Sequence, residues 1–461
     1  MQEQIIQTLH NLRAYALGKS FEVELFYHEE DSYLMRFANS AISLNTNEHL
    51  IRLDITAYSG RKRAGCSLIT NLDKIDEIKN GIDTAAGMAE HAQPLNYQPT
   101  FPSFVESFVD ESGYDPALAT MSSAEKLAYF NQAIKGLEIG EIRSSGIFSS
   151  GVNTIAQVTT RSEHIQVFKT TDAQVSIVLS HARLKWEVTA EQSAQNKTDL
   201  DPISLQQELA FLLEHYQNDT PKQIPLGRYA IVFGSAAIAE MLKFMNMIAY
   251  DGGLMKRGFS FLTEDQVGKK VFSEHFTLID DPDKRETYPF KRDLSGLIRK
   301  PWPIIEKGIF RGFLWSQDDA DEFGARPTGH TVPHKSLVLC SGNKEVGSLQ
   351  ELVSLPRQQD LLYIPFLHYM NIVNPSKGII TASSRFGTLL LKKNGSVVVL
   401  YNVRLTQSLL DIFGDKVAWV SKPMLPYNTS ESYGARNPSA ILVPRFLQVN
   451  GLEISHSNSS Y

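Results

Sequence analysis

A chain of 461 residues with 42% apolar and 21% charged side chains has the composition of a folded globular protein, long enough for two or three cores. A net charge of −6 and the lack of any basic run longer than Arg61-Lys62-Arg63, which reads as a solvated turn, exclude the clustered Lys and Arg of a nucleic-acid footprint. No stretch holds the roughly twenty apolar residues of a membrane span, and Met1-Gln2-Glu3-Gln4 opens no export signal, so a cytoplasmic location is expected.

Residues 2–18 read as a helix, with Ile5, Leu9, Leu12 and Ala16 on one face. Phe21, Val23, Leu25 and Tyr27 alternate with Glu22, Glu24 and Phe26 as an edge-like strand, and extended segments follow at 34–44 and 51–57. Such alternation argues for antiparallel sheet with one buried face. His28-Glu29-Glu30 offers His-Glu without a second His in reach, so it reads as a solvated loop. A second helix is expected over 71–90 with Asn71 as its cap, and a proline-bearing surface connection over 93–120. A helix at 122–136 precedes strands at 142–149, 155–160, 165–169, 175–180 and 183–188, and the helix carrying Leu205, Leu209, Leu212 and Leu213 closes this half. Thr220-Pro221 and Ile224-Pro225 then break regular structure twice, which predicts a boundary between an α+β domain over 1–222 and a mainly β domain over 223–461.

The second half opens on the apolar strand Tyr229–Phe233 and Gly234. Ser235 then stands as N-cap before a helix whose Ile238, Met241, Leu242, Met245, Ile248 and Ala249 recur at three- and four-residue steps. Asp251-Gly252-Gly253 is read as its end. Short strands with turns at glycine follow, a pattern that suits a barrel-like β domain, with Asn394-Gly395 as a hairpin turn. His330 and His334 are four apart, but Pro333 between them opposes the helix that would put them on one face, so a turn is the reading. Cys66 and Cys340 form no C-x-x-C and read as small buried hydrophobes. The tail from Ser455 is expected to fray.

Within this half, Leu254-Met255-Lys256-Arg257-Gly258-Phe259-Ser260, Thr277-Leu278-Ile279-Asp280-Asp281-Pro282, the Trp302–Phe313 hairpin and Pro327-Thr328-Gly329-His330 resemble the TldD/PmbA family, once described as modulators of DNA gyrase and better understood as peptidases. The likeness is strongest over about 225–445. In the family's proteolytic branch this helix carries H-E-x-x-x-H, two zinc-holding histidines and a glutamate that acts on the metal-bound water. The corresponding positions here are Lys243, Phe244 and Ile248, and no His lies between His215 and His275. An ammonium, a phenyl and a sec-butyl group are not zinc ligands. The resemblance therefore implies the metal-free PmbA/TldE-like branch: no metal, no cofactor, and a dimer with itself or with a TldD-like zinc subunit that acts on unfolded peptides. Two alternatives stand beside it. One is a hydrolase using Ser384 as nucleophile with His368 as base. The other is a peptide-binding scaffold, with Arg257, Asp280, Asp281, Asn371 and Arg385 as groove residues.

Overall fold

Alternating apolar residues build the first of three sheets in the computed structural model, which describes residues 2–430 and 436–458. Its strands are β1 (Glu22–Ala38), β2 (Ala41–Ser59), β3 (Lys62–Ile69), β4 (Phe108–Gly113), β5 (Ile142–Thr159), β6 (Ile165–His181) and β7 (Trp186–Ala194). They lie in the order β3-β2-β1-β5-β6-β4, and β7 also pairs with β6. Helices α1 (Gln2–Gly18) and α2 (Ile75–His91) cover one face, where Leu9, Leu12, Ile78 and Ile82 pack with Leu25, Leu53 and Val158. Next in the chain come α3 (Pro116–Ala119), α4 (Ser123–Ala133) and α5 (Pro202–Tyr216), whose apolar sides join a second core.

Several expectations change here. The 21–27 strand is not an edge: β1 pairs with β2 on one side and β5 on the other. It runs on to Ala38 and turns through Asn39 and Ser40, both left-handed with φ of 50° and 63°, the backbone that matches strand twist in a tight hairpin. His28-Glu29-Glu30 is no solvated loop. It is buried in β1, where the His28 ring bonds Asn153 at 3.1 Å and Glu30 accepts the Arg436 backbone N–H. The segment read as a surface connection contributes β4, parallel to β6, and buries Phe101 and Phe104. Asn71 caps nothing, because α2 begins at Ile75 after Lys74.

Beyond α5 come β8 (Gly227–Gly234), β9 (Leu278–Asp280), β10 (Trp302–Glu306), β11 (Ile309–Phe310), β12 (Leu337–Leu339), β13 (Leu361–Ile364), β14 (Phe366–Asn374) and β15 (Ile379–Arg385). They are followed by β16 (Leu389–Leu391), β17 (Val397–Val399), β18 (Val403–Ser408), β19 (Val417–Val420), β20 (Met424–Asn428), β21 (Ala440–Pro444) and β22 (Phe446–Ser457). One sheet runs β11-β10-β9-β12-β21-β20, the other β14-β15-β18-β22-β8-β13-β16-β17 with β19 beside β22. The fold is α+β, but neither sheet closes on itself among the described residues, so the barrel-like reading gives way to two open sheets. Asn394-Gly395 does turn the β16–β17 hairpin, with Gly395 at φ 89°. Ser455–Ser457 belong to β22 rather than to a frayed tail, and residues 459–461 lie outside the described residues.

Helix α6 (Ser235–Ile248) follows β8 and separates these sheets. Its Ile238, Met241, Leu242, Met245 and Ile248 are buried in one core with Ile231, Phe233, Leu339 and Val443. Gly234, not Ser235, is the N-cap residue, and no side chain caps the helix. Asp251-Gly252-Gly253 does more than end α6: it starts α7 (Gly252–Lys256), with the Asp251 carboxylate accepting the Leu254 N–H at 2.9 Å. Both glycines are required by close packing. A Cβ on Gly252 would stand 2.4 Å from the Trp315 indole, and one on Gly253 2.1 Å from the Asp319 carboxylate on α8 (Gln317–Phe323). Among the described residues no helix is long and apolar enough to cross a membrane.

Candidate functional site

The apolar stripe of α6 is turned into the core, so its other side carries Glu240, Lys243, Phe244 and Met247. Lys243 and Met247 are exposed, Phe244 is half-buried, and Ile248 is buried with the core. At the amino end of this helix lies a cavity of about 490 Å³ between the first sheet and the other two. Thr189, Glu191 and Ser193 line it from β7, Glu208 from α5, Ser235 and Ala236 from α6, Tyr363 from β13 and Tyr427 from β20.

The cavity gathers acids. Burial pushes the Glu191 carboxyl up to about 8, with the Glu240 and Glu208 charges adding to the rise and Arg445 opposing it. Burial likewise raises Glu240, against the Lys243 charge and the Tyr427 hydroxyl, which donates to its Oε1 at 2.9 Å. The cations are committed: Arg445 donates to Glu208 at 2.6 Å, and Arg285 donates to Asp199 at 2.8 Å. Glu191 Oε1 is closed off from solvent and meets no donor. An acid raised to about 8 beside a second acid that burial also raises can take up or release a proton, or receive a cation.

A profile of the PmbA/TldA metallopeptidase C-terminal domain matches residues 226–455. The chain belongs to the TldD/PmbA family. Solved structures agree in fold along nearly the whole chain. TldE from Thermococcus kodakarensis superposes with a TM-score of 0.79 at 17% identity, covering 97% of this chain and 100% of that one. A protein of Thermotoga maritima named for a modulator of a DNA gyrase gives 0.73 at 16% identity, over 97% and 99% of the two chains. A curated metalloprotease of Methanothermobacter thermautotrophicus is 28% identical over 106 residues, and the match spans only 23% of that relative's length.

Zinc, the metal of the family's proteolytic branch, does not fit α6. Lys243 points to solvent, Phe244 is a half-buried phenyl without a lone pair, and Ile248 faces the core. Nor do any three His, Cys, Asp or Glu side chains come together to hold a metal ion among the described residues.

The other residues singled out in the sequence are dispersed. Asp280 is buried, accepting from Arg299 at 2.5 Å, His330 at 3.0 Å and the Ser336 N–H at 2.6 Å, so it cannot face a groove. Burial alone would raise its carboxyl, but the His330 and Arg299 contacts outweigh it and hold Asp280 well below the usual range. Asp281 accepts from the Asp283 N–H at 3.0 Å in a turn. Arg257 is exposed and ion-paired to Asp319 at 2.8 Å and to Glu322. Ser384 is also buried, and its hydroxyl accepts from Thr388 at 2.8 Å and from the Val403 N–H at 2.9 Å. His368 approaches Arg385 at 3.5 Å, not Ser384, so the nucleophile–base pair is absent. His330 and His334 part company too: His334 donates to the carbonyls of Thr287 and Tyr288, and burial lowers it to about 4.

His368, Asn371 and Arg385 share one hairpin, and none of them lines the cavity. They stand on β14 and β15, and Arg385 pairs with Glu187 of β7 at 3.2 Å, one strand repeat from Thr189. Phe366, the first residue of β14, lines the cavity itself and lies 6.4 Å from the Tyr427 ring. Sequence reasoning missed Glu191, Glu208, Glu240, Tyr427 and Arg445. The one signal was the alternation of Trp186, Val188 and Ala190 with Glu187, Thr189 and Glu191, a polar face that meets the second half instead of water.

Proposed function

We propose that this chain is a metal-free, peptide-binding member of the TldD/PmbA family that works in the cytoplasm as a dimer, with itself or with a zinc-bearing TldD-like chain. The observation that carries the reading is the outer stripe of α6. Only Ser235 and Ala236, at its amino end, line the cavity, and further along the outer side stand Lys243, Phe244 and Met247, with Glu240 as the one acid. A lysine there repels a divalent ion and suits a carboxylate or carbonyl of bound peptide. The β14 edge supports peptide capture: it pairs only with β15 among the described residues, and Tyr369, Asn371 and Val373 are exposed along it. An extended peptide can add to such an edge through its backbone. The names of the relatives, a TldE and a metalloprotease, belong to the same functional setting.

The test is elemental analysis of the purified chain together with affinity capture from its native cells. The expected result is zinc well below one equivalent and recovery of itself or of a chain bearing H-E-x-x-x-H. Stoichiometric zinc, or chelator-sensitive peptide cleavage by this chain alone, would overturn the reading.

A further inference from the structure

We infer that the cavity beside α6 receives the free amino end of a peptide, its ammonium on Glu191 and its first carbonyl on Arg445; the inference rests on the peptide-binding reading above. The argument starts from what the cavity leaves unmet. Glu191 Oε1 is buried without a donor, and Arg445, which lines the same cavity, has a buried Nε–H without an acceptor. Buried polar groups are nearly always satisfied, so an unmet acceptor and an unmet donor in one cavity ask for a ligand that brings both. The neighbouring groups are already engaged: Glu208 with Arg445, Asp199 with Arg285, and Glu240 with the Tyr427 hydroxyl.

A ligand that brings a donor and an acceptor meets both groups, and an ammonium as the donor favours the ionised Glu191 carboxylate over the neutral acid of the empty cavity. A metal ion is a poor candidate, because no three ligating side chains converge among the described residues. A lysine side chain supplies an ammonium on a long alkyl stem, with no carbonyl beside it. A peptide amino terminus supplies an ammonium one carbon from a carbonyl, a donor and an acceptor in one group. Charge-assisted hydrogen bonds of this kind are about twice as strong as neutral ones. The aromatic rings of Tyr363, Phe366 and Tyr427 give the first side chain an apolar wall.

The experiment titrates the full chain by calorimetry with three forms of one unstructured peptide: free amino end, acetylated, and acetylated with an internal lysine. The free form is expected to bind at least about tenfold more tightly than both acetylated forms, a difference of about 1.4 kcal/mol. Glu191→Gln, an isostere whose fold is checked by melting, is expected to reduce the free form to the acetylated level. Glycinamide, an ammonium with an adjacent amide carbonyl, is titrated separately against the carboxyl carbon signal of Glu191 and is expected to shift it, whereas acetylglycinamide does not. Equal binding of the three peptides, or a lysine form that matches the free one, overturns the amino-end assignment and leaves peptide binding intact. A glycinamide response without affinity for any peptide keeps the site and removes the wider reading of function. Silence from glycinamide removes the site.

Discussion

Asp280 and Glu191 are both acids enclosed by protein, and their surroundings drive them in opposite directions. Asp280 meets Arg299, His330 and a backbone N–H, so its charged form is favoured. Its contribution to stability is fully present above the carboxylate's unfolded value of 3.8 and is lost as pH falls below that value toward the depressed folded one. Asp280→Asn strands the Arg299 charge, which is 1% exposed at its side chain, and a loss of about 3–5 kcal/mol is expected in urea unfolding at pH 7. The variant should also lose less of its remaining stability than the parent between pH 5 and 3. Glu191 carries the reverse sign. Its folded carboxyl is raised to about 8 from 4.5, so the folded state loses stability as pH rises through that interval. Each tenfold difference in proton affinity is worth about 1.4 kcal/mol. Glu191→Gln removes this cost while facing the same Glu240, Glu208, Arg445 and Tyr427. Its melting temperature is expected to exceed the parent's at pH 8.5 and to converge with it near pH 5; equal melting at both values would show that Glu191 is not held neutral. Neither role was legible in the sequence. Asp280 stands in a family motif and Glu191 in an ordinary alternating strand, and only tertiary neighbours decide what each carboxylate does.

At the scale of elements, α6 shows how far pattern reading reaches. Its existence, extent and buried stripe follow from Ile238, Met241, Leu242, Met245 and Ile248, because apolar periodicity records which face meets a core. The same reading took Asp251-Gly252-Gly253 as a stop, since turn chemistry does not reveal that Trp315 and Asp319 will press on the two glycines. Gly253→Ala drives a methyl against the Asp319 carboxylate and the Arg257 guanidinium, and about 1–3 kcal/mol of destabilisation is expected from overpacking. Asn71 failed as a cap and 93–120 failed as a surface connection for related reasons: cap and edge-strand pairing are settled by long-range partners. The orientation of α6 also limits how the family's zinc chemistry could be restored. Placing His, Glu and His at 243, 244 and 248 puts one imidazole in solvent and the other in the core that Ile248 now fills. The triple variant is expected to be less stable and to bind less than one equivalent of zinc by elemental analysis; a full equivalent would mean that α6 can turn on its axis.

Across the whole molecule, the two sequence halves share one of their cores. Trp186, Val188, Leu205, Leu209 and Leu212 from the first half pack with Val232, Val346, Leu352, Tyr363 and Phe446 from the second. The break at Thr220–Pro225 was legible because prolines interrupt periodicity, but the packing across it leaves no local trace: every one of these residues is an ordinary apolar position in its own element. Polar contacts reinforce the joint. Arg436, from the second half, donates to Asp172 at 2.9 and 2.5 Å and to Ser149 at 2.7 Å, and its backbone N–H reaches Glu30. Asp172 is fully buried, so removing the guanidinium leaves a buried carboxylate without its cation. If the shared core couples the halves, Arg436→Ala lowers the stability of both at once, by about 3–5 kcal/mol. The tryptophans make this measurable, since Trp186 stands on β7 within the shared core and Trp315 packs against the core of the second half. Variants that keep only one of these two indoles are expected to lose their fluorescence signals at the same urea concentration, and Arg436→Ala to shift both midpoints together. Two separate midpoints, with only one moved by the substitution, would mean that each half melts alone.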